Sequence, residues 1–462
     1  MNQQHLLAEA PGHDLAHLHG VGLGVTAAYP AGPGARLTRH RMSSLDDHLR
    51  RYGPAPRATG SAGPALVQTL EAIRLTGRGG GHFSVAAKWR AVMAATTADP
   101  GGVTLVANGA EGEPASAKDA ALLELRPHLV LDGLALAAEV TGARSAVVWL
   151  HEGAWAAHAA LLRALAERQA ARLLGPEVSV RVGPDRYLTG ESSAVLRALS
   201  GGPALPELRR VPAAVSGLNG SPTLLHNVET LARVAVAART GSDRYPATSL
   251  VTVLAHGRRT VLELPETTTI AGAVAAAAAL ATSGGSPAEQ VPAELFAVDP
   301  VPQAVLVGGY GGSWLRWDVA AGLPLRDDAL RLAGAGLGAG VLATLPAAAC
   351  GLLETAVVAD YLARSSARQC GSCLFGLRAI ADELADLVRG EGGRRRLRLL
   401  ERHAAEVDGQ GACHHPDGAV RLIRTALATF TDDLQSHLRR GRCRQPGAPG
   451  VLPVPSPGAV AR

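Results

Sequence analysis

Val103-Thr104-Leu105-Val106-Ala107-Asn108-Gly109-Ala110-Glu111-Gly112-Glu113-Pro114 is the stretch on which the fold turns. Val103 to Val106 is an apolar, β-branched run of strand length, too short for a helix. It leads directly into Asn108, Glu111 and Glu113. Ligands of open α/β sheets collect at the carboxyl ends of strands. Asn offers a donor and an acceptor to a polar heterocycle or ribityl chain. Two glutamates two residues apart can orient ribose hydroxyls or a carboxamide, or can simply line a solvated acidic loop.

Working outward, Ala146 to Leu150 is a second buried-strand candidate, and a helical pattern follows it from Ala154 to Ala170. Strands alternating with helices predict an α/β domain over residues 61–245, Rossmann-like with a mostly parallel sheet. Residues 1–60 are rich in Gly, Pro and His and read as a loosely structured arm. His5, His13, His17 and His19 there are either metal ligands or flexible polar residues. In residues 248–330, Leu250–Ala255 and Thr260–Leu264 flank a turn at His256-Gly257. A helix near Ile270 and a strand at Ala304–Val307 follow, and the ββαβ order resembles a β-grasp unit. Residues 345–442 carry Leu377, Ile380, Leu384 and Leu387, then Val420, Ile423, Leu427, Phe430 and Leu434, stripes that predict a helix bundle. The Pro/Gly-rich residues 443–462 read as a disordered tail.

The bulk numbers bound the function. A hydrophobic fraction of 47% over 462 residues supports about three globular units. The longest apolar stretch, Ile270 to Thr282, is too short to span a bilayer, and no signal peptide is evident, so a cytoplasmic protein is expected. The net charge of +5 does not predict nucleic-acid binding, because aromatics are not interleaved with the one dense cluster, Arg394 to Arg396 with Arg398. That cluster reads as a solvated helix face or a patch for an acidic partner protein. An odd count of five cysteines argues against a disulfide framework. Four of them, Cys350, Cys370, Cys373 and Cys413, raise metal or redox chemistry instead.

The chain has 45 basic residues counted as Lys plus Arg, and only two, Lys88 and Lys118, are lysines. Lys88 follows Gly77-Arg78-Gly79-Gly80-Gly81-His82-Phe83. Four glycines in five residues permit close approach of backbone to a ligand. Ser84 can cap the helix that follows, whose N-terminus is a site for phosphate, with Lys88 one turn in. No Walker loop or ordinary dinucleotide fingerprint is present.

Taken together, these motifs resemble the F-type family of NADH/FMN-binding flavoproteins of NADH-quinone oxidoreductase (respiratory complex I). The resemblance rests on Gly77–Phe83 with Lys88-Trp89, on Asn108–Pro114, and on Tyr187-Leu188-Thr189-Gly190-Glu191-Ser192-Ser193. Gly220 to Thr230 and Cys370-Gly371-Ser372-Cys373 with Cys413 complete it. It implies an FMN domain, a β-grasp domain of the SLBB type and a helical domain holding an iron–sulfur cluster. By position, Gly77, Arg78, Gly79, Lys88, Asn108, Glu111, Gly190, Glu191, Leu225, His226 and Asn227 would bind FMN. Phe83, Glu113 and Ser192 would face NADH as substrate. Cys370, Cys373 and Cys413, with His414 as a further ligand, would hold a 4Fe-4S or 3Fe-4S cluster, since Gly376 occupies the third cysteine position.

This sequence departs from the family at His82 (a glycine there), Ala110 (an acid), Ser192 (a glutamate) and Ala91 (an aromatic), and carries Val211-Pro212 near another aromatic position. Three cysteines and one histidine also form a zinc set, and a site without metal is the third reading. Helix starts beside Cys373 and Cys413, with Asp417 as a cap of the second, are expected to lower both thiol pKa values. The resemblance implies a flavin-dependent oxidoreductase taking electrons from NADH or NADPH to a partner carrier, ferredoxin-like or a membrane reductase. It would work within a hetero-complex peripheral to a membrane, without membrane insertion. Two other readings are a non-catalytic assembly or ligand-binding member, and an Rnf-like electron-transfer protein.

Overall fold

The computed structural model describes residues 22–30, 43–98, 102–173, 175–282, 300–443 and 450–455. His5, His13, His17 and His19 lie outside them. Strands β2 (Thr104–Asn108), β3 (Ser145–His151), β4 (Glu177–Gly183) and β5 (Thr223–Asn227) form an all-parallel sheet in the order β4-β3-β2-β5. The opening run is β2, buried from Leu105 to Asn108, as a strand covered on both faces of a parallel sheet must be. Helices α2 (Ala62–Ala72), α3 (Val85–Ala98), α4 (Lys118–Leu125), α5 (Pro127–Thr141), α6 (Trp155–Ala170), α7 (Ser192–Leu199) and α8 (Val228–Thr240) surround it. Leu129, Val130, Leu134 and Ala137 bury α5 against the sheet. It crosses α8 so closely that a Cβ on Gly133 would overlap the Leu231 backbone.

A second sheet is mixed. Strands β1 (Thr26–Pro30), β6 (Thr248–Ala255), β7 (Arg258–Pro265), β8 (Ala304–Val307), β9 (Ser313–Arg316) and β10 (Val341–Leu345) run in the order β1-β7-β6-β10-β8-β9. Among these described strands, only β6 and β10 pair in parallel. Side-chain alternation divides its two faces. Val305, Val307 and Leu342 pack with Ile270, Ala273 and Val274 of α9 (Ile270–Thr282). Ala304, Leu306, Val341, Ala343 and Leu345 pack toward the C-terminal helices. Short helices α10 (Trp317–Ala320) and α11 (Asp327–Leu332) follow β9. The expected ββαβ order is present, but the sheet continues through β10, past the expected boundary at residue 330.

The C-terminal helices are α12 (Gly351–Arg364), α13 (Leu377–Val388), α14 (Gly393–Val407), α15 (His415–Thr429) and α16 (Thr431–Arg440), with a π-helical turn, Ser372–Gly376, leading into α13. The Leu377 and Val420 stripes share one core, in which Leu427 is only partly buried. No helix among the described residues is long and apolar enough to cross a membrane.

Two segments expected to be loose are tied down. The N-terminal arm contributes β1 and α1 (Leu45–Tyr52), and the Glu263 carboxylate accepts hydrogen bonds from Leu23 N (2.9 Å) and Gly24 N (2.7 Å). In the tail, Val451 N and Leu452 N donate to Glu354 Oε2 at 3.0 and 3.2 Å, and Tyr310 Oη donates to Pro453 O at 2.9 Å. In both, a short Gly- or Pro-flanked segment supplies backbone donors to a carboxylate that packing has taken from water, a bond that hydropathy does not encode.

Candidate functional site

The glycine-rich turn is closed at its base, where Gly77 N donates to Phe83 O at 2.8 Å and Thr76 bridges Ser84. Ser84 Oγ accepts from Ala87 N at 3.3 Å, capping α3 as expected. Arg78 N donates to Thr230 Oγ1 at 2.9 Å, which pins the turn to the first residues of α8. Gly79 lies against Asn227. Lys88 reaches inward from α3 and donates to the Leu225 carbonyl at 2.8 Å; burial pushes its pKa down. Next to it, Trp89 Nε1 donates to His226 Nε2 at 2.9 Å. Burial first, and the Lys88 charge second, push the His226 pKa well down. A neutral His226 accepting at Nε2 carries its proton on Nδ1.

Asn108 and Asn227 stand opposite each other at the ends of β2 and β5. Asn108 Nδ2 donates to Gly190 O at 2.7 Å. A Cβ on Gly190 would overlap the Ala110 carbonyl, so glycine is what allows the two loops to meet. Asn227 Oδ1 accepts from Glu229 N at 2.9 Å, capping α8, while its Nδ2 donates to Asp119 Oδ2 at 2.6 Å. Glu191 caps α7, accepting from Ser193 N and Ala194 N at 2.8 and 3.1 Å. The Gly77–Gly79 turn, Lys88, Asn108, Gly190, Glu191 and Leu225–Asn227 thus converge on the carboxyl edge of the parallel sheet. Ser192 is exposed beside them, and Phe83 is 70% exposed at the tip of the turn.

The two glutamates behave differently from a ligand-facing pair. Glu111 accepts from Ser116 Oγ, from Asp119 N at 3.3 Å and from Ala120 N at 3.2 Å, at the start of α4. Glu113 is buried and accepts from Tyr310 N at 2.8 Å and Ala115 N at 3.2 Å. Burial pushes its pKa up to about 7. It therefore ties the acidic loop to the β8–β9 turn. The sequence offered no contact for Lys118. The structure buries it, with Nζ 2.7 Å from Asp119 Oδ1 and 3.0 Å from Glu229 Oε2, and Glu229 also pairs with Arg233 at 2.7 Å. Burial alone would lower the Lys118 pKa; Asp119, Glu229 and Glu111 more than reverse this. Retention of lysine in an arginine-rich chain is the one sequence signal of this network.

Cys370, Cys373 and Cys413 share one neighbourhood between α12 and α15. Burial pushes Cys373 up to about 12, with Cys370 adding to it. Cys413 is pushed up by burial and then by Glu191 and Cys370. Burial also acts upward on Cys370, but the Ala412 backbone donor and Cys373 outweigh it and bring it below the ordinary value. The expected lowering at Cys373 and Cys413 is therefore reversed, because burial outweighs the helix ends. Asp417 lies in the first turn of α15, with His414 at the cap position.

His414 is 97% exposed and faces Asp417 at 3.3 Å, so the structure does not bring it in as a ligand. Cys350 stands at the opposite end of α12 from Cys370. The Cys370 and Cys373 side chains hydrogen-bond to each other, and Cys413 is within electrostatic reach of both. Three thiolates so grouped, without the imidazole, suit an iron–sulfur cluster, each of whose irons takes one thiolate. A Cβ on Gly376 would overlap the Val407 side chain.

The two regions adjoin. Glu191 is within electrostatic reach of Cys413. The Tyr187 ring lies 5.4 Å from His415 and 5.8 Å from Tyr361.

Comparison with known proteins agrees with both regions. Residues 70–236 match the Nuo51 FMN-binding domain, and residues 354–437 match the NADH-ubiquinone oxidoreductase-F iron-sulfur binding region. The F 2 subunit of NADH-quinone oxidoreductase in Rhizobium meliloti (strain 1021) is 29% identical, over 85% of this chain and 93% of that one. The corresponding F subunit in Escherichia coli (strain K12) is 28% identical, over 86% and 90%. Among solved structures, an NAD+-reducing [NiFe]-hydrogenase in the air-oxidized state superposes with TM-score 0.72 at 24% identity, covering 87% of this chain and 69% of that one. At that identity the likeness is one of fold.

Proposed function

We infer, for a chain that belongs to the family of NADH-quinone oxidoreductase F subunits, that it oxidises NADH through FMN and delivers the electrons to an iron–sulfur cluster. The observation that carries this reading is the adjacency of the two regions. The segment Tyr187–Glu191 meets Asn108 through Gly190 and reaches Cys413 and His415 through Glu191 and Tyr187.

FMN, when bound, supplies hydride acceptance and single-electron release; the protein supplies position and electrostatics. Gly77, Arg78 and Gly79 would offer backbone to it, and Lys88 a half-buried compact charge with two N–H bonds beyond the one to Leu225. Asn108, Gly190, Glu191 and Asn227 frame the same edge. Glu111 and His226 act behind them, the first capping α4 and the second bracing Trp89. Phe83 is free to stack on NADH, whereas Glu113 supports the loop from behind. The six-stranded sheet is read as the SLBB-type β-grasp unit, from its ββαβ order. Cys370, Cys373 and Cys413 would ligate the cluster, a 3Fe-4S or an incompletely ligated 4Fe-4S, and a ferredoxin-like protein or membrane reductase in a hetero-complex would accept the electrons.

The anaerobically purified protein should show flavin absorption that bleaches on adding NADH, with iron bound. A colourless, iron-free preparation sinks the reading and favours a non-catalytic member.

A further inference from the structure

Cys350, His437 and Cys443 form a compact set that the proposed redox chemistry does not use. Their ligand atoms all lie within 4.8 Å of one another, and Cys350 and His437 are buried. We propose that these three residues, with Asp433 or a water as fourth ligand, bind a single structural zinc ion that clamps the end of the last helix to the start of α12.

Geometry is the first argument. Cys350 Sγ lies 3.5 Å from His437 Nε2. Tetrahedral ligands at ordinary Zn–S and Zn–N lengths stand about 3.6 Å apart. The site is nearly preformed, with the imidazole presenting a ring nitrogen to the space shared with two sulfurs. Chemistry is the second. Two thiolates and an imidazole are a zinc donor set, and zinc binding would deprotonate the thiols, offsetting the burial that holds Cys350 protonated. Asp433 precedes His437 by four residues on α16, so it lies on the same helix face. It is buried and in electrostatic reach of both Cys350 and His437.

Place is the third. Cys350 caps the start of α12, and Cys370 follows the other end of that 14-residue helix, about 20 Å away at 1.5 Å per residue. The zinc site would therefore be separate from the cluster thiols. It would fasten Cys443, just past α16, where the chain leaves the helices before returning to Glu354.

The test uses the full-length protein with its cofactors, grown with zinc. Zinc and iron are counted per chain in the parent, Cys443→Ser and His437→Ala, and zinc-edge X-ray absorption is recorded on the parent. About one zinc per chain, with sulfur and nitrogen or oxygen scatterers, is expected. Each variant should lose at least tenfold of the zinc with iron unchanged. A zinc-free parent, equal zinc in Cys443→Ser, or a Cys350–Cys443 disulfide in non-reducing peptide mass analysis overturns the proposal. Cys443 lies half-buried beyond the last helix, so Cys443→Ser keeps the test decisive even where His437→Ala fails to fold. Because zinc and iron are read separately, failure here is distinguishable from failure of the redox reading.

Discussion

Lys88 is a half-buried ammonium that donates to the Leu225 carbonyl. Burial lowers its pKa, so an anion at the carboxyl edge of the sheet would be bound partly by restoring what the lysine lost on leaving water. Charged hydrogen bonds contribute about 1.5–3 kcal/mol, so Lys88→Ala should weaken FMN roughly ten- to a hundredfold. Lys88→Arg should not restore it, because a planar fork does not replace a compact charge. Recovery of free-flavin fluorescence on dilution measures this, and an alanine variant that holds FMN like the parent refutes the role. Glu113 makes a different prediction. Its folded pKa stands near 7 against an ordinary 4.5. Between those values the folded chain binds more protons than the unfolded one, so stability falls as pH rises. The full loss, up to ~3 kcal/mol, is reached above about pH 7. Melting curves from pH 5 to 8 should show a steeper decline in the parent than in Glu113→Gln. Glu124, also raised to about 7 by burial, is common to both chains and cancels in the difference. Parallel pH profiles would show that Glu113 does not titrate there. Of these two residues, Lys88 was legible from its neighbours in sequence. The place of Glu113 was not, because its partner Tyr310 lies 197 residues away.

At the scale of elements, the turn from α12 through Cys370 and Cys373 into α13 carries Gly376 where the resemblance to F-type subunits implies a third cysteine. Its π-helical residues Ser372–Gly376 bring Gly376 under α14, where a Cβ would overlap Val407. A Val407 methyl occupies the space that a side chain at Gly376 would need. Restoring cysteine alone should strain the packing; large insertions into packed cores cost about 1–3 kcal/mol. Gly376→Cys with Val407→Ala should relieve the strain and raise iron per chain above the parent. Four irons per chain in both proteins would refute the three-thiolate reading. The stripes of α13 and α15 were readable because their 3–4 spacing is local. The pKa directions at Cys373 and Cys413 were not, because a helix end is visible in sequence while the burial that outweighs it comes from other elements.

At the scale of the whole molecule, the sheet built from residues 248–345 is held from three sides. The N-terminal strand β1 extends one edge through β7, α9 covers one face, and the C-terminal helices cover the other. Alternating hydrophobicity made the middle of this sheet legible. Its borrowed strand and the returning tail were not, because both are short, Gly- or Pro-flanked, and bound through backbone groups. The tail lies across two units at once, with Val451 and Leu452 on Glu354 of α12, and Pro453 on Tyr310 beside β8. Glu354 is raised in pKa by burial, and those two tail amides donate hydrogen bonds to it. A chain ending at residue 449 would leave that carboxylate buried without them and expose Leu452's pocket. Leaving a buried charged group unsatisfied costs ~1–3 kcal/mol or more, so the truncated chain should unfold at lower urea than the parent. Glu354→Gln should recover part of the difference in the truncated chain while weakening the full-length one. That reversal of sign separates loss of a specific acceptor from general loosening, and equal urea midpoints for the full and truncated chains would show that the tail's docking contributes nothing to the fold.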